Sequence, residues 1–280
     1  MQAAPVAVKR HLFRELTSRL RVLPDFLVIG VQKAGTTSLF NYLIEHPGIL
    51  PTVRKQMHYF DNRYERGEDW YRSHFPMELQ LRYRERRLGY KCLTGEATPY
   101  YIFHPHAPRR IRSLLPKAKL IVLLRNPVDR AYSHYNHEVR KGAEKLSFEE
   151  AIEKEAERLR PELERMLQDE HYYSFAYQHY SYLARGRYAE QLSYWFKLFP
   201  KEQFLILKSE DFDRNIPETL NKIYRFLGLP ELPPKNYPYH NRGNYPQMSS
   251  ETRQKLREYF RRYNEQLYEL LQIDFGWDVT

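Results

Sequence analysis

Cysteine is almost missing from this chain of 280 residues: Cys92 stands alone. An internal disulfide framework is therefore excluded, and a reducing compartment fits. Long apolar runs are missing as well. None approaches the roughly 20 residues needed to span a bilayer, and residues 1–10 hold no continuous apolar stretch like that of a secretory leader. A soluble cytoplasmic protein is the expectation. Acidic charge is in deficit, with 35 Asp and Glu against 45 Lys and Arg, a formal charge of +10. Such a surface suits nucleic acid, an anionic membrane face or a strongly anionic small ligand. Over residues 149–165 the two signs alternate as on a solvated helical face. Net charge permits anion binding and does not name the anion. Internal repeats, low-complexity tracts and metal-ligand spacings of His, Cys, Asp or Glu are also lacking, so no metal is expected.

What is present is globular. Hydrophobic residues make up 42% of the chain and aromatics 15%, with 24 Tyr. Leu12, Phe13, Leu16 and Leu20 space out a short basic amphipathic helix, and residues 1–23 read as an N-terminal extension. Residues 24–280 read as one domain. Phe26–Ile29 is a compact apolar run ending at Gly30, as in a buried parallel strand. Helical spacing over Thr37–Glu45 follows. Further strands are expected at Lys91–Thr94, Leu120–Leu124 and Phe204–Leu207. Helices are expected at Pro105–Leu115, Val128–Lys141, Phe148–Arg160, Tyr188–Phe199, Ile216–Leu227 and about Ser249–Leu271. This alternation predicts an α/β fold with a mostly parallel central sheet flanked by helices. Residues 230–246 form a loop with five prolines, and loops of this length are usually functional.

Gly30-Val-Gln-Lys-Ala-Gly-Thr-Thr-Ser38 sits where a strand hands over to a helix. Free backbone N–H groups and the helix dipole favour an anion there. Gly35 lets the backbone approach it, Thr36, Thr37 and Ser38 add hydroxyls, and Lys33 adds charge. The pattern departs from a nucleoside-triphosphate loop, GxxxxGK[ST], because Thr36 stands where the lysine belongs. The strand Leu120–Leu124 also ends in Arg125, not in the acid that helps hold Mg²⁺ in such enzymes. A lysine without that acid is better matched to sulfuryl than to phosphoryl transfer.

The stretch Pro24-Asp-Phe-Leu-Val-Ile-Gly-Val-Gln-Lys-Ala-Gly-Thr-Thr-Ser-Leu39 resembles the 5′-phosphosulfate loop of the sulfotransferases that use 3′-phosphoadenylyl sulfate (PAPS). The branch it most resembles holds the heparan sulfate enzymes and their bacterial relatives. Leu120-Ile-Val-Leu-Leu-Arg-Asn-Pro-Val-Asp-Arg-Ala-Tyr-Ser133 resembles the family's second motif. The resemblance runs from about Pro24 to Trp277 and implies a P-loop-like sulfotransferase fold. It implies that Lys33, Ala34, Gly35, Thr36, Thr37 and Ser38 hold the phosphosulfate, that Arg125 and Ser133 hold the 3′-phosphate, and that Arg130 is a less certain neighbour. Arg242 and Gly243, in Asn241-Arg-Gly-Asn-Tyr245, match a loop that closes over the nucleotide; a solvent-facing turn fits them equally.

Sulfuryl transfer to a hydroxyl needs an in-line acceptor, charge stabilisation and a base. Lys33 can stabilise charge on the departing nucleotide, 3′,5′-ADP (PAP). The base is expected in Arg54-Lys-Gln-Met-His-Tyr-Phe-Asp61, which resembles the family's base-bearing motif. Gln56 stands where the heparan sulfate enzymes carry their catalytic glutamate, and an amide takes no proton at neutral pH. Histidine is the ordinary base near neutrality, and in a strand-like segment His58 would share a face with Gln56. His58 is thus the expected base and Gln56 an acceptor-orienting residue. Glu96, in Gly95-Glu-Ala-Thr-Pro-Tyr-Tyr101, is the alternative base or acceptor contact, with a purely structural role equally open. Ala97 stands where heparan sulfate enzymes carry a lysine, which argues against a heparan-like acceptor. The aromatic cluster 171–180 could offer an acceptor surface of stacking rings, while Tyr188, Leu192 and Trp195 have the spacing of core residues. The expected partners are a nucleotide donor and a sugar or lipid hydroxyl. The alternatives are a kinase using ATP and Mg²⁺, which the missing GK[ST] disfavours, and a non-catalytic nucleic-acid binder, which leaves the Lys-Ala-Gly-Thr-Thr turn unexplained.

Overall fold

The computed structural model describes residues 13–233, 237 and 245–277. Its centre is a sheet of five parallel strands: β1 (Phe26–Gly30), β2 (Ile49–Leu50), β3 (Leu93–Ala97), β4 (Lys119–Leu124) and β5 (Phe204–Lys208), in the order β2-β3-β1-β4-β5. Phe26, Leu27, Val28 and Ile29 are all fully buried. At about 1.5–3 kcal/mol per side chain their burial alone is comparable to the net stability of a typical domain. Parallel strands need crossover connections, so helices cover both faces. Asp25 sets the register, accepting from Thr94 N and handing its own carbonyl to Lys119 N. A β-carbon at Gly95 would lie 2.5 Å from the Phe26 ring, so only glycine lets β3 lie against β1.

The helix α1 (Thr36–Leu43) follows β1, and α2 (Gly67–Arg72) and α3 (Glu78–Leu88) lie between β2 and β3. Then come α4 (Ala107–Leu114) before β4, and α5 (Pro127–Arg140) after it. Expected strands and helices are found within a few residues. β3 starts two residues later than expected because its partners are Ile49 and Phe26, met at Leu93 and Gly95. The two-residue β2 carries no periodicity of its own and was not foreseen.

The helix expected at Phe148–Arg160 is two: α6 (Phe148–Glu153) and α7 (Glu155–Gln168), which runs on through Pro161. The break falls where Glu155 turns inward to accept from Leu183 N and Ala184 N at 2.6 and 2.7 Å. Next are α8 (Phe175–His179) and α9 (Tyr188–Phe196), followed after β5 by α10 (Ser209–Arg214), α11 (Ile216–Leu227) and α12 (Ser250–Leu271). Tyr188, Leu192 and Trp195 are buried in the core, as their spacing predicts. Among the described residues no helix is long and apolar enough to cross a membrane. Near the N-terminus Arg14 and Arg21 turn inward to the carbonyls of Ser73 and Phe75.

Candidate active site

One cleft of about 690 Å³ opens at the C-terminal edge of the sheet and gathers the residues that the motifs mark. Ligands bind at this edge of open α/β sheets. Its floor is the turn between β1 and α1. Lys33 (φ 74°) and Gly35 (φ 91°) are both left-handed, which folds the turn back on itself. Glycine adopts that shape freely; for lysine it costs roughly 1–2 kcal/mol. No side chain caps the first turn of α1, so the helix presents its N-terminus, with Thr36, Thr37 and Ser38, to the cleft. The turn's carbonyls are drawn away from it. Lys33 O accepts from Arg125 Nη1 at 2.8 Å and Ala34 O from Ser209 Oγ at 2.9 Å. The side chain of Gln32 accepts from Arg185. The loop is thus held as a set of donors. Burial, then the like charges of Arg140 and Arg125, bring Lys33 down from its ordinary 10.5 to about 8.

β4 and α5 build the second wall. Asn126 caps α5, its Oδ1 accepting from Val128 N at 3.0 Å, and Pro127 takes the first turn. Arg125 at the strand end and Ser133 two turns on both reach the cleft, with His137, Arg140 and Lys141 beyond them. Tyr188 OH donates to Arg125 O at 2.8 Å, pinning the strand end. Arg130 turns away: it is fully buried and donates to Tyr182 O. Asp129 pairs with Arg253 at 2.7 Å, which leaves Arg125 to the cleft. Burial, then Lys33 and Lys141, push His137 down to about 4, so it is neutral at pH 7. Arg242 and Gly243 lie outside the described residues.

Gln56 and His58 line the same cleft. The expectation of a strand here is corrected. His58 is left-handed (φ 52°) between the fully buried Met57 and the buried Tyr59, and it is this turn that brings the two side chains together. His58 Nδ1 lies 2.7 Å from Asp61 Oδ2, and its Nε2 lies 3.3 Å from Gln56 Oε1. With Nδ1–H given to the buried Asp61 carboxylate, Nε2 is the accepting nitrogen, and the Gln56 amide meets it through its NH2 group once turned about its last bond.

Glu96 is not brought to the cleft surface. It is fully buried, and its carboxylate accepts from Met57 N (3.1 Å), Tyr71 OH (2.8 Å), Thr98 Oγ1 (2.7 Å) and Tyr101 OH (3.0 Å). Burial pushes its carboxyl up and these four donors pull it back. Tyr101 OH in turn accepts from Tyr59 N at 3.0 Å. Glu96 therefore grips both residues that flank His58, which makes it a positioning residue.

Two contributors escaped the motif reading. Lys55 donates to Thr37 Oγ1 at 2.5 Å and is lowered by burial to about 8. It is the lysine of the base-bearing segment 54–61, to which the motif assigned no role of its own. Arg185 is buried, donates to Ser181, Gln32 and Gln178, and lies over Tyr100 at 4.6 Å. No local spacing could reveal it.

A sulfotransferase-domain family model matches residues 23–267. The chain is 29% identical to the membrane-associated sulfotransferase kil1 of Dictyostelium discoideum, over 92% of this chain and 67% of that one. It is also 29% identical to the human heparan sulfate glucosamine 3-O-sulfotransferase 6, over 92% of this chain and 74% of the relative. Among solved structures, a sulfotransferase from Alicyclobacillus acidocaldarius superposes with a TM-score of 0.69 at 29% identity, covering 92% of this chain and all of the other. With strand order, anion turn and cleft in agreement, the chain belongs to the sulfotransferase family and is an enzyme of the transferase class.

Proposed function

We propose that the enzyme moves a sulfuryl group from PAPS to a carbohydrate or glycolipid hydroxyl and releases PAP. One observation carries this reading: a single cleft holds a lysine, an uncapped helix N-terminus and a carboxylate-oriented imidazole. The residues suit a polyanionic nucleotide. Thr36, Thr37 and Ser38 donate to the phosphosulfate, with Lys33 beside them. Arg125 and Ser133 offer a guanidinium and a hydroxyl to the 3′-phosphate.

Four residues then divide the chemistry. His58 Nε2 takes the proton of the acceptor hydroxyl as its oxygen bonds to sulfur, and Asp61 stabilises the imidazolium that results. Once Nε2 is protonated, the Gln56 amide turns its Oε1 to accept the new Nε2–H. Lys33 offsets the charge that grows on the bridging oxygen as the sulfur–oxygen bond to the nucleotide breaks. A carbohydrate acceptor is supported by the name of the human relative. The test is thermal: PAP at 100 times its Kd should stabilise by about 2.7 kcal/mol, a rise of roughly 5–10 °C at this size. ATP with Mg²⁺ should not. Stabilisation by ATP-Mg²⁺ and not by PAP would overturn the reading.

A further inference from the structure

His58–Asp61 is not the cleft's only histidine–carboxylate pair. His179, at the end of α8, also lines the cleft. Its Nδ1 lies 2.9 Å from Oε2 of Glu138, a fully buried carboxylate on α5. The His179 ring stacks on Phe175 at 4.2 Å between centroids. With Nδ1 given to the carboxylate and one face covered, Nε2 keeps its lone pair for a ligand. Behind Glu138 lie His134 Nε2 at 3.6 Å and Lys141 Nζ at 3.9 Å. Burial drives His134 well below its ordinary value, so it stays neutral. Glu138 is held well below the usual carboxylate range: burial opposes this, but its contacts with His134 and His179 outweigh burial.

The two pairs are joined to each other. Asn62, next to Asp61, donates through Nδ2 to Oε1 of Gln178, next to His179, at 2.8 Å. Gln178 is fixed further by Arg185, which donates to its carbonyl and to Gln32 of the anion turn. Tyr173, half-exposed, lies within electrostatic range of both carboxylates; burial first, then Asp61 and Glu138, push its hydroxyl up. The two imidazoles thus line one cleft, tied together through Asn62 and Gln178.

We infer that the acceptor is held between these imidazoles as an uncharged vicinal diol of a pyranoside ring, one hydroxyl giving its proton to His58 while its neighbour donates to His179. This rests on the donor reading above. Gln56, Gln178 and the two imidazoles supply groups that bind hydroxyls, and the cation next to His179, Lys141, is paired with Glu138. Two buried carboxylates stand behind the imidazoles and disfavour an anionic ring. The nearby guanidinium of Arg185 is already engaged by Ser181, Gln32, Gln178 and the faces of Tyr100 and Phe103, so it is not free to pair with an acceptor carboxylate or sulfate.

The probes are p-nitrophenyl β-D-glucopyranoside and the matching glucuronide, used with the full chain and PAPS; PAP affinity is measured separately by calorimetry. The glucoside should be sulfated with a KM at least about tenfold below that of the glucuronide. His179→Ala should raise the glucoside KM about tenfold, the loss of one hydrogen bond, with a smaller change in kcat. His179→Asn should recover part of it, and Glu138→Gln should move KM in the same direction as His179→Ala. An unchanged PAP Kd shows that each variant is folded. A preference for the glucuronide, no turnover of the glucoside by an enzyme that binds PAP, or a KM that ignores His179→Ala each overturns the inference and leaves the donor reading standing. Failure to bind PAP at all overturns both.

Discussion

Raising the pH from 7 to 9 should strip the cleft of much of its affinity for PAP. Lys33 is lowered to about 8 by burial and by Arg140 and Arg125, and Lys55 to about 8 by burial. Each is charged below that value and neutral above it, so the attraction for an anion is present at pH 7 and lost as pH rises through 8. A group with a pKa of 8 is about 90% charged at pH 7 and about 10% charged at pH 9. If only the charged form binds, the apparent Kd rises about tenfold per lysine over that interval. Both lysines acting together give about a hundredfold, or roughly 2.7 kcal/mol. A lysine at its ordinary 10.5 would change the Kd by only a few per cent over the same range. Calorimetric titration with PAP at pH 7, 8 and 9 and constant ionic strength reads this directly, and proton uptake on binding should rise from about 0.1 per lysine at pH 7 to about 0.9 at pH 9. Lys33→Met should reduce the change to about tenfold. A Kd that stays level to pH 9, or a full slope that survives in Lys33→Met with Lys55→Met, would refute the reasoning.

His58→Ala should lower kcat by about 10²–10⁴ while PAP binds normally, and Asp61→Asn should lose part of the same factor; equal loss of PAP affinity would move both residues to the donor side. Glu96→Ala strands four buried donors and should cost at least about 3 kcal/mol, read as a fall in Tm. Glu96→Gln should keep the fold and most of the turnover, and a fully folded but inactive Glu96→Gln would make Glu96, not His58, the base. Gly35→Ala forces a side chain into a left-handed residue of the anion turn and should cost about 1–2 kcal/mol of stability together with PAP affinity; wild-type PAP binding in that variant would show that the turn tolerates another shape.

Much of the site was legible where function and local structure coincide. The anion turn is contiguous: its glycine, lysine and hydroxyls are needed by the same stretch of backbone that needs the turn. Arg125 and Ser133 sit at a strand end and two helical turns later, a spacing that periodicity can place. Glu96 was harder. Its residue type and neighbourhood suit a base, and only the tertiary structure shows it buried among Tyr71, Thr98 and Tyr101 and tied to the loop that carries His58. His58 was reached through a strand geometry that does not exist; its left-handed backbone does the work of joining it to Gln56.

By itself the sequence determined four of the five strands, several of the helices that flank them, the parallel sheet and the turn between β1 and α1, because apolar spacing and turn chemistry act over a few neighbouring residues. Only the tertiary structure decided which carboxylates stand behind which imidazoles. Glu138 and His179 are 41 residues apart in the chain, Asn62 and Gln178 are 116 apart, and packing of helices around the sheet is what brings such pairs within hydrogen-bonding distance. That same packing sets the burial that lowers Lys33 and Lys55.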